Sequence, residues 1–220
     1  MDRPRALVDR CSRLLGPVAG VCPSDSERTP ALTRNIGGNS SNSDTQWSQS
    51  DLFFPNANQI TSITADITVH AASGVSCPLN PQLASSQTRV GGTFFNSGSG
   101  DPADDLPAYV LANYFSGSVH YSLWWNWQNQ WQLVNIATLP VGERVTATLR
   151  WDQPNHRFVA IVRPAAAVHY QQTSSYSAPD GSPAANPSKG FSAAALAPNC
   201  TTQMTTSNVE SYVDNVIINQ

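Results

Sequence analysis

The sequence predicts an all-β protein, a two-sheet antiparallel β-sandwich preceded by a short N-terminal segment. Apolar and polar residues alternate strictly in several stretches, which is typical of strands with one buried face. Helix formers are scarce, because only 12% of the residues are charged and the chain holds one lysine and three glutamates. Loops rich in Gly, Pro, Ser and Asn separate the alternating stretches without a repeat period, which favours a sandwich.

The densest aromatic stretch is HYSLWWNWQNQWQLVN, residues 120–135, which holds four of the six tryptophans. The polar Gln128-Asn129-Gln130 predicts a three-residue turn between two antiparallel strands, with Trp127 opposite Trp131. Trp124 lies on the polar parity and is expected on the outer face. The other parity is expected to face the core, and its members are Tyr121, Leu123, Trp125, Trp127, Trp131 and Leu133.

Residues 1–44 are predicted to be an N-terminal segment and linker, and residues 45–220 the sandwich domain. A short helix is expected around ALVDRCSRLLG within residues 1–23. Residues 24–50 are rich in Ser, Asn and Gly and are interpreted as a linker or an extended wrapping segment. Trp47 is expected where the chain docks onto the fold.

Other strands are predicted on both sides of the tryptophan hairpin. They are ITADITV, QTRVGGTFFN and AYVLANYF before it, and RVTATLRW, RFVAIV and YVDNVIIN after it. Gly91-Gly92 indicates a bulge or a close backbone approach. Residues 164–190 lack periodicity and are expected to be a long excursion, while FSAAALAPNC is expected to hold one short strand or turn. Side chains of one parity are expected to be buried at Ile63, Ala65, Ile67 and Val69, and at Val145, Ala147, Leu149 and Trp151. In the closing strand, Tyr212, Val216 and Ile218 share one parity.

Charge and hydropathy exclude several classes of partner. The formal net charge is −3 and the sandwich region has no basic cluster, so no nucleic acid is expected as a partner. No apolar run reaches about 18 residues, so no membrane-spanning helix is expected. The run LLGPVAGV after the first arginines is short and is interrupted by Pro17, so it is not interpreted as a signal peptide.

The four cysteines predict disulfides and an oxidising, extracellular location. Cys11, Cys22, Cys77 and Cys200 form no CxxC or Cys/His pattern, so zinc is not expected. An even number at wide spacing in a low-charge β chain favours an oxidising compartment. Four cysteines allow three connectivities, of which we expect Cys77–Cys200 with Cys11–Cys22 as a local pair. The alternative is that the four cysteines are reduced and buried as small hydrophobic residues.

Several stretches resemble the concanavalin A-like lectin/glucanase jelly rolls, including their laminin-G-like and pentraxin-like branches. ITADITV followed by TRVGGTFFN looks like their paired front strands, VTATLRWDQPNHRFVAIV resembles a recurrent hairpin, and YVDNVIIN is similar to their last strand. The resemblance covers about residues 45–220 and implies a concave sheet that often carries the ligand. The glucanase activity of that branch is disfavoured, because its E-x-D-x-x-E pattern does not occur here and no single strand offers the required carboxylate pair. The alternative is a pair of carboxylates from different strands.

The first candidate site is the polar row beside the tryptophans. Trp124 offers a platform on which a sugar ring can stack, and the amides of Asn126 and Gln128 can hydrogen-bond its hydroxyl groups. The alternative is that Trp124 packs beneath a loop or the N-terminal segment.

A second group of ligand-binding candidates lies on the front strands. Asp66 and His70 share the outer face of one strand about 13 Å apart, which is too far to share a metal ion or a proton. Arg89 lies on the next predicted strand, where it is expected to reach Asp66 as a salt bridge. The alternative is a solvated strand face with a structural ion pair.

Carboxylates in one loop and in the last strand are candidate ligands for a structural calcium ion. Asp101, Asp104 and Asp105 crowd oxygen ligands into GSGDPADD, although their spacing is not that of an EF-hand loop. Asp214 is the remaining candidate, because an aspartate helps to hold calcium in parts of the resembled superfamily. The alternative is an acidic loop exposed to solvent.

Three functions follow from these observations. The leading one is an extracellular, lectin-like binding module for a glycan or another cell-surface ligand. The second is a structural or interaction domain without a small ligand. The third is a polysaccharide hydrolase or lyase, which would require Asp66, His70, Arg89 or Glu143 to converge in a groove.

Overall fold

The chain folds into two antiparallel sheets in a computed structural model, which describes residues 32–38, 46–75, 85–128, 130–165, 168–197 and 205–219. The strands are β1 (Leu32–Gly38), β2 (Gln46–Phe53), β3 (Ser62–Val75), β4 (Ser85–Asn96), β5 (Asp105–Phe115), β6 (Ser118–Trp127), β7 (Gln130–Pro140), β8 (Arg144–Asp152), β9 (Arg157–Pro164), β10 (Tyr170–Ser175), β11 (Ser182–Pro183), β12 (Lys189–Ala197) and β13 (Thr205–Ile218). Short 3-10 helices occupy Ala57–Gln59, Pro102–Asp104 and Gln153–Asn155. In the described part of the chain, no helix is long and apolar enough to cross a membrane.

The strands form a six-stranded sheet in the order β1-β13-β3-β8-β9-β10 and a seven-stranded sheet in the order β2-β12-β4-β5-β6-β7, with β11 paired to β4. In the described part of the chain, neighbouring strands are antiparallel throughout. The predicted two-sheet antiparallel sandwich is therefore confirmed.

The core lies between the two sheets and follows the predicted alternation in the front strands. On β3 the side chains of Ile63, Ala65, Ile67 and Val69 are all buried. On β8, Val145, Ala147 and Leu149 are buried, and Trp151 packs against the core with its ring stacked on Phe95. Burial of one face of each sheet is the main favourable contribution to folding.

Hydroxyl groups join the two sheets where the facing side chains are small. Ser86 on β4 lies 2.9 Å from Ser207 on β13, and Thr88 lies 2.5 Å from Ser211, between hydroxyl oxygens in both cases. All four side chains are buried. Each hydroxyl therefore has the partner that burial requires.

Gly91 and Gly92 show the close backbone approach that the sequence predicts. Their φ angles are 143° and 145°, a region that other residues rarely adopt. A Cβ atom on Gly91 would lie 2.1 Å from the Ala108 carbonyl oxygen, and one on Gly92 would lie 1.8 Å from the Ser188 carbonyl oxygen. Strand β4 can therefore fit between β5 and β12 only with glycine at these positions.

The tryptophan hairpin has a shorter turn than predicted, and this changes which side chains face the core. Trp127 pairs with Gln130, so the connection has two residues rather than three, and Trp131 lies opposite Asn126. A one-residue change of register moves every side chain of a strand to the other face. Trp131 is consequently 62% exposed and Leu133 48% exposed, and the prediction that both are core residues is wrong. Tyr121, Leu123 and Trp125 are buried, as predicted.

Two segments contain more regular structure than the sequence predicts. Residues 32–38 form β1 and pair with β13, so part of the predicted linker contributes a strand to the sandwich. The excursion over residues 164–190 contains β10 and β11. FSAAALAPNC begins within β12, which is hydrogen-bonded to β2 and β4. Trp47 pairs through its backbone with Leu196 of β12, in agreement with a docking point.

The last strand changes its inward parity part-way along. A register shift separates Asp214 from Ile217, and Asn215 has a left-handed φ of 50°. Before this bulge Val213 is buried and Tyr212 faces outward. After it, Val216 and Ile218 pack against the core, so the three residues that share a parity in the sequence do not share a face.

Some predictions concern residues outside the described ranges. They are the N-terminal helix within residues 1–23 and both disulfides, since Cys11, Cys22, Cys77 and Cys200 all lie outside these ranges. These remain predictions.

Candidate functional site

A groove of about 390 Å³ runs over the outward face of the seven-stranded sheet. It is lined by residues of β4, β5, β6 and β7, which are Gln87, Leu111, Asn113, Phe115, His120, Ser122, Trp124, Trp131, Leu133 and Asn135. These side chains are brought together because alternate residues of adjacent antiparallel strands point to the same face. None of the lining residues is an aspartate, glutamate, lysine or arginine.

Aromatic side chains stand at both ends of the groove. At one end, Trp124 on β6 and Trp131 on β7 present indole rings, and Trp124 also packs on Tyr109 with ring centroids 5.6 Å apart. At the other end, the rings of Phe115 and His120 meet edge to face at 6.1 Å. Trp124 and His120 are four residues apart on one strand, which corresponds to about 13 Å. This spacing fits an extended ligand with more than one ring.

The polar floor between these ends consists of amides and hydroxyls. Ser122 donates a hydrogen bond to the Oδ1 atom of Asn135 at 3.3 Å, and Ser85 donates to Oδ1 of Asn113 at 3.2 Å. Thr138 and the Nδ1 atom of His120 are 3.2 Å apart. The amides and hydroxyls among these groups can exchange hydrogen bonds with a polar ligand.

Arg89 lies beside the groove and holds one of its amides in place. Its Nε and NH2 atoms donate to Oε1 of Gln87 at 3.1 and 2.9 Å, and its guanidinium lies over the Tyr109 ring at 5.8 Å. Burial lowers the pKa of the Arg89 guanidinium, while the nearby Tyr109 and Asp51 raise it. The predicted salt bridge from Arg89 to Asp66 is wrong, because the two residues belong to different sheets.

Asp66 is held by donors on the outward face of the six-stranded sheet. It accepts hydrogen bonds from Thr146 and Arg144 at 2.6 Å and from Asn215 at 2.8 Å. Burial alone would raise the pKa of this carboxyl, but the three hydrogen bonds outweigh it and hold the pKa below the ordinary value. The carboxylate therefore has a structural role in joining β3, β8 and β13.

His70 is also on the six-stranded sheet, away from the groove. Its exposed ring packs edge to face on Tyr212 with centroids 5.4 Å apart. The two groups of predicted ligand residues are thus on opposite outer faces of the sandwich. Trp124 and Arg89 are on the groove side, and Asp66 and His70 are on the other.

Asn126 and Gln128 lie beyond the Trp131 end of the groove and are not among its lining residues. The Oδ1 atom of Asn126 is buried without a hydrogen-bond partner. Gln128 has a left-handed φ of 46° in the hairpin turn and donates to Asp104 at 3.1 Å. A ligand-binding role for these two amides stays a prediction.

The three loop aspartates have separate structural partners. Asp101 caps the short helix that begins at Pro102 by accepting from the Ala103 amide at 2.9 Å. Asp105 is buried and accepts from the backbone amides of Ala185 and Asn186, both at 2.8 Å. Over the residues for which placement is defined, no group of three or more His, Cys, Asp or Glu is arranged to hold a metal ion. Asp104 lies at the surface, and Asp214 is the cross-strand partner of Asp66. Neither residue completes such a group.

The residues proposed for catalysis do not converge. Asp66 and His70 are on the six-stranded sheet, Arg89 is on the seven-stranded sheet, and Glu143 is in the turn between β7 and β8. The groove itself is lined by no carboxylate, so the paired carboxyl groups that a glycosidase uses do not occur there.

No protein-family model and no curated protein matches the sequence. Similar solved structures include a scytalido-glutamic peptidase, with 13% identity over 80% of this chain and 76% of that chain and a TM-score of 0.40. The Lotus tetragonolobus seed lectin has 11% identity over 92% of this chain and 100% of that chain, with a TM-score of 0.38. An alginate lyase from Klebsiella pneumoniae has 8% identity over 68% of this chain and 57% of that chain, with a TM-score of 0.36.

These structures belong to the concanavalin A-like jelly-roll superfamily that the sequence resembles, and no specific family stands out among them. Their activities differ, and the identities and TM-scores are low, so no activity is transferred from any of them. The fold assignment rests on the two sheets of this chain.

Sequence patterns predicted only part of the groove. Parity predicts the outward position of Trp124, but a three-residue turn would direct Trp131 and Leu133 to the core, and the observed turn is one residue shorter. Phe115 and His120 also line the groove, and no local sequence motif distinguishes them. They are brought together by the pairing of β5 with β6, which is a non-local property.

Proposed function

We propose that this protein is an extracellular, lectin-like module that binds a glycan in the groove on the seven-stranded sheet. The observation that carries the proposal is the presence of both Trp124 and Trp131 at one end of a groove that is lined by amides and has no carboxylate, lysine or arginine. Apolar sugar faces pack well on aromatic rings, and sugar hydroxyls can hydrogen-bond to amides. An exposed tryptophan next to polar groups is also a common composition for a binding surface.

The side chains on the two outer faces of the sandwich support a ligand site on the seven-stranded sheet rather than on the six-stranded sheet. On the six-stranded sheet, Asp66 is occupied by three protein donors and His70 packs on Tyr212. On the seven-stranded sheet, Trp131 is 62% exposed and Leu133 48% exposed beside a groove. A domain with a purely structural role would have no need of this exposed apolar surface, which costs solvation free energy.

The extracellular location is part of the same proposal. The low charge content and the even number of cysteines support it, with Cys77–Cys200 as the proposed disulfide. Calcium is not needed by the groove as described, because its lining offers amides and hydroxyls rather than carboxylates.

The proposal is tested by screening the protein on a glycan array and measuring the affinity of the best ligand by calorimetry. Trp131→Ala is expected to weaken binding at least about tenfold, because covering an aromatic side chain contributes about 1.5–3 kcal/mol. Trp124→Ala is expected to have an effect of similar size.

His70→Ala is the matched control, since it removes an exposed ring from the opposite sheet. Its affinity should equal that of the wild type. If His70→Ala weakens binding and both tryptophan variants bind normally, the ligand site is on the other face and the proposal fails.

A further inference from the structure

We propose that the groove selects sugars that carry a carbonyl-type oxygen, either a carboxylate or an acetamido group, over sugars that carry hydroxyl groups alone. This inference rests on the proposed glycan-binding function and concerns the chemical class of the ligand. It follows from the direction in which the amides of the groove are held.

Gln87 gives the strongest case. A guanidinium only donates hydrogen bonds, so the two bonds from Arg89 fix Oε1 of Gln87 as the acceptor that faces Arg89. The polar atom that Gln87 retains for a ligand is Nε2, which is a donor. Since burial holds Arg89 against Tyr109 and Gln87, this orientation is present before a ligand binds.

Two further amides of the groove are oriented in the same way. Oδ1 of Asn113 accepts from Ser85, and Oδ1 of Asn135 accepts from Ser122. Their Nδ2 groups are left as the donors available to a ligand. Among the residues that the structure describes, no acceptor is paired with the NH2 groups of Gln87, Asn113 or Asn135.

The donors are arranged so that one ligand can meet several of them. Gln87 and Asn113 are direct cross-strand partners on β4 and β5, so their side chains stand next to each other. Asn135 lies on β7 opposite Ser122, further along the same floor. The Gln87 oxygen already accepts two hydrogen bonds and the Asn113 and Asn135 oxygens each accept one, so N–H donors outnumber the acceptor positions left on these three amides.

An amide floor on which donors outnumber acceptors discriminates between ligand groups by their hydrogen-bonding capacity. A sugar hydroxyl both donates and accepts, and few acceptor positions remain for its proton on these amides. A carboxylate or acetamido oxygen has lone pairs and no proton, so it can accept from two amide groups at once. The lining has no aspartate or glutamate that would repel a carboxylate.

The test compares three tetrasaccharides by calorimetry on the full chain. They are cellotetraose, which offers hydroxyls only, N-acetylated chitotetraose, and tetragalacturonate. We expect chitotetraose or tetragalacturonate to bind at least tenfold more tightly than cellotetraose. The two substituted sugars also distinguish the acetamido source of the acceptor from the carboxylate source.

Asn113→Asp and Asn135→Asp then replace a donor by an acceptor with almost no change in shape. Each is expected to weaken binding of the preferred sugar at least fivefold, and more for a carboxylate because the new charge repels it. Gln132→Glu is the matched control, because it adds the same charge on β7 at a position outside the groove. It should leave the affinity within twofold of the wild type.

The outcomes separate this inference from the proposed function. If cellotetraose binds as tightly as the substituted sugars in a Trp131-dependent manner, glycan binding stands and the acceptor preference is overturned. Normal binding by both Asn→Asp variants also overturns it, as does an equal loss in Gln132→Glu. If no glycan binds, on the array or in solution, both proposals fall.

Discussion

Lys189 is a buried amine that the groove does not use. Its Nζ atom donates to the Ala57 carbonyl oxygen at 2.7 Å and lies 4.6 Å from the centroid of the Phe94 ring. The side chain is fully buried, and burial lowers its pKa from 10.5 to about 8. The carbonyl and the ring partly replace the water that a charged amine loses on burial.

This lowered pKa predicts how stability depends on pH. Below pH 8 the amine is protonated in both the folded and the unfolded chain, and the folded chain bears the cost of a buried charge. Between pH 8 and 10.5 the folded chain has released the proton and the unfolded chain has not, so the free energy of unfolding rises with pH. We expect a rise of about 3 kcal/mol over the whole interval, of which about 2 kcal/mol falls between pH 7 and pH 9.5.

Urea denaturation at pH 7 and pH 9.5 measures this effect. In Lys189→Met the contribution of the amine to the rise should be lost. Because other titrating groups, including the tyrosines with raised pKa values, are the same in both proteins, their contribution to the pH dependence of stability cancels when the variant is compared with the wild type. An identical pH dependence in the two proteins would show that Lys189 does not titrate in this window.

At the residue scale, sequence parity was reliable for side chains within a strand that has no bulge. It assigned Ile63, Tyr121 and Trp125 to the core and Trp124 to the outer face. It could not assign Trp131, because the face of a side chain after a turn depends on the number of residues in that turn. The orientation of the Gln87 amide was likewise inaccessible, since it depends on Arg89 being held against Tyr109.

The turn of the tryptophan hairpin decides what the groove contains. Its two-residue connection directs Trp131 and Leu133 outward, whereas three residues would direct them to the core. Two-residue hairpin turns require positive φ values, and Gln128 has a φ of 46°. Glutamine is not favoured in this conformation, which is one reason why the sequence did not indicate the shorter turn.

The strain at this position predicts the effect of a substitution. Gln128→Asn should raise the free energy of unfolding by a few tenths to about 1 kcal/mol, because asparagine tolerates the left-handed conformation better. Gln128→Ala is the control, since it also removes the hydrogen bond to Asp104 but keeps the strain. Thermal or urea unfolding compares the three proteins. A Gln128→Asn variant no more stable than Gln128→Ala would argue against a strained turn.

Strand β12 shows a different limit of sequence patterns at the element scale. Its sequence is rich in alanine and lacks β-branched residues, so residue propensity does not favour a strand. Apolar and polar residues do not alternate in it either. It nevertheless pairs with both β2 and β4, and Ala193, Ala194 and Ala195 are all buried. The strand conformation of this alanine-rich segment is therefore determined by its pairing with two distant strands and by close packing on both of its faces.

The N-terminal strand β1 was missed for a related reason. LTRNIGG has no alternation that distinguishes it from a linker, and its strand conformation is established by pairing with β13. In β13 itself, the bulge at Asn215 reverses the parity, so a single rule for the whole strand could not be correct. Both cases depend on contacts between distant parts of the chain.

At the scale of the whole molecule, the two outer faces of the sandwich have different chemistry. The six-stranded sheet presents an ion pair between Asp66 and Arg144 and a ring pair between His70 and Tyr212. The seven-stranded sheet presents a groove that has no carboxylate, lysine or arginine in its lining and has aromatic rings at both ends. The chain therefore has one face that is held together by its own side chains and one whose donors and rings are available to a ligand.

The central claim is that a glycan occupies the groove of the seven-stranded sheet, and a crystal structure with the best array ligand tests it most directly. We expect a sugar ring stacked on Trp124 or Trp131, with its oxygens within hydrogen-bond distance of the amides of Asn113 and Asn135. A glycan bound over Asp66 and His70 on the six-stranded sheet, with the groove unoccupied, would contradict the account.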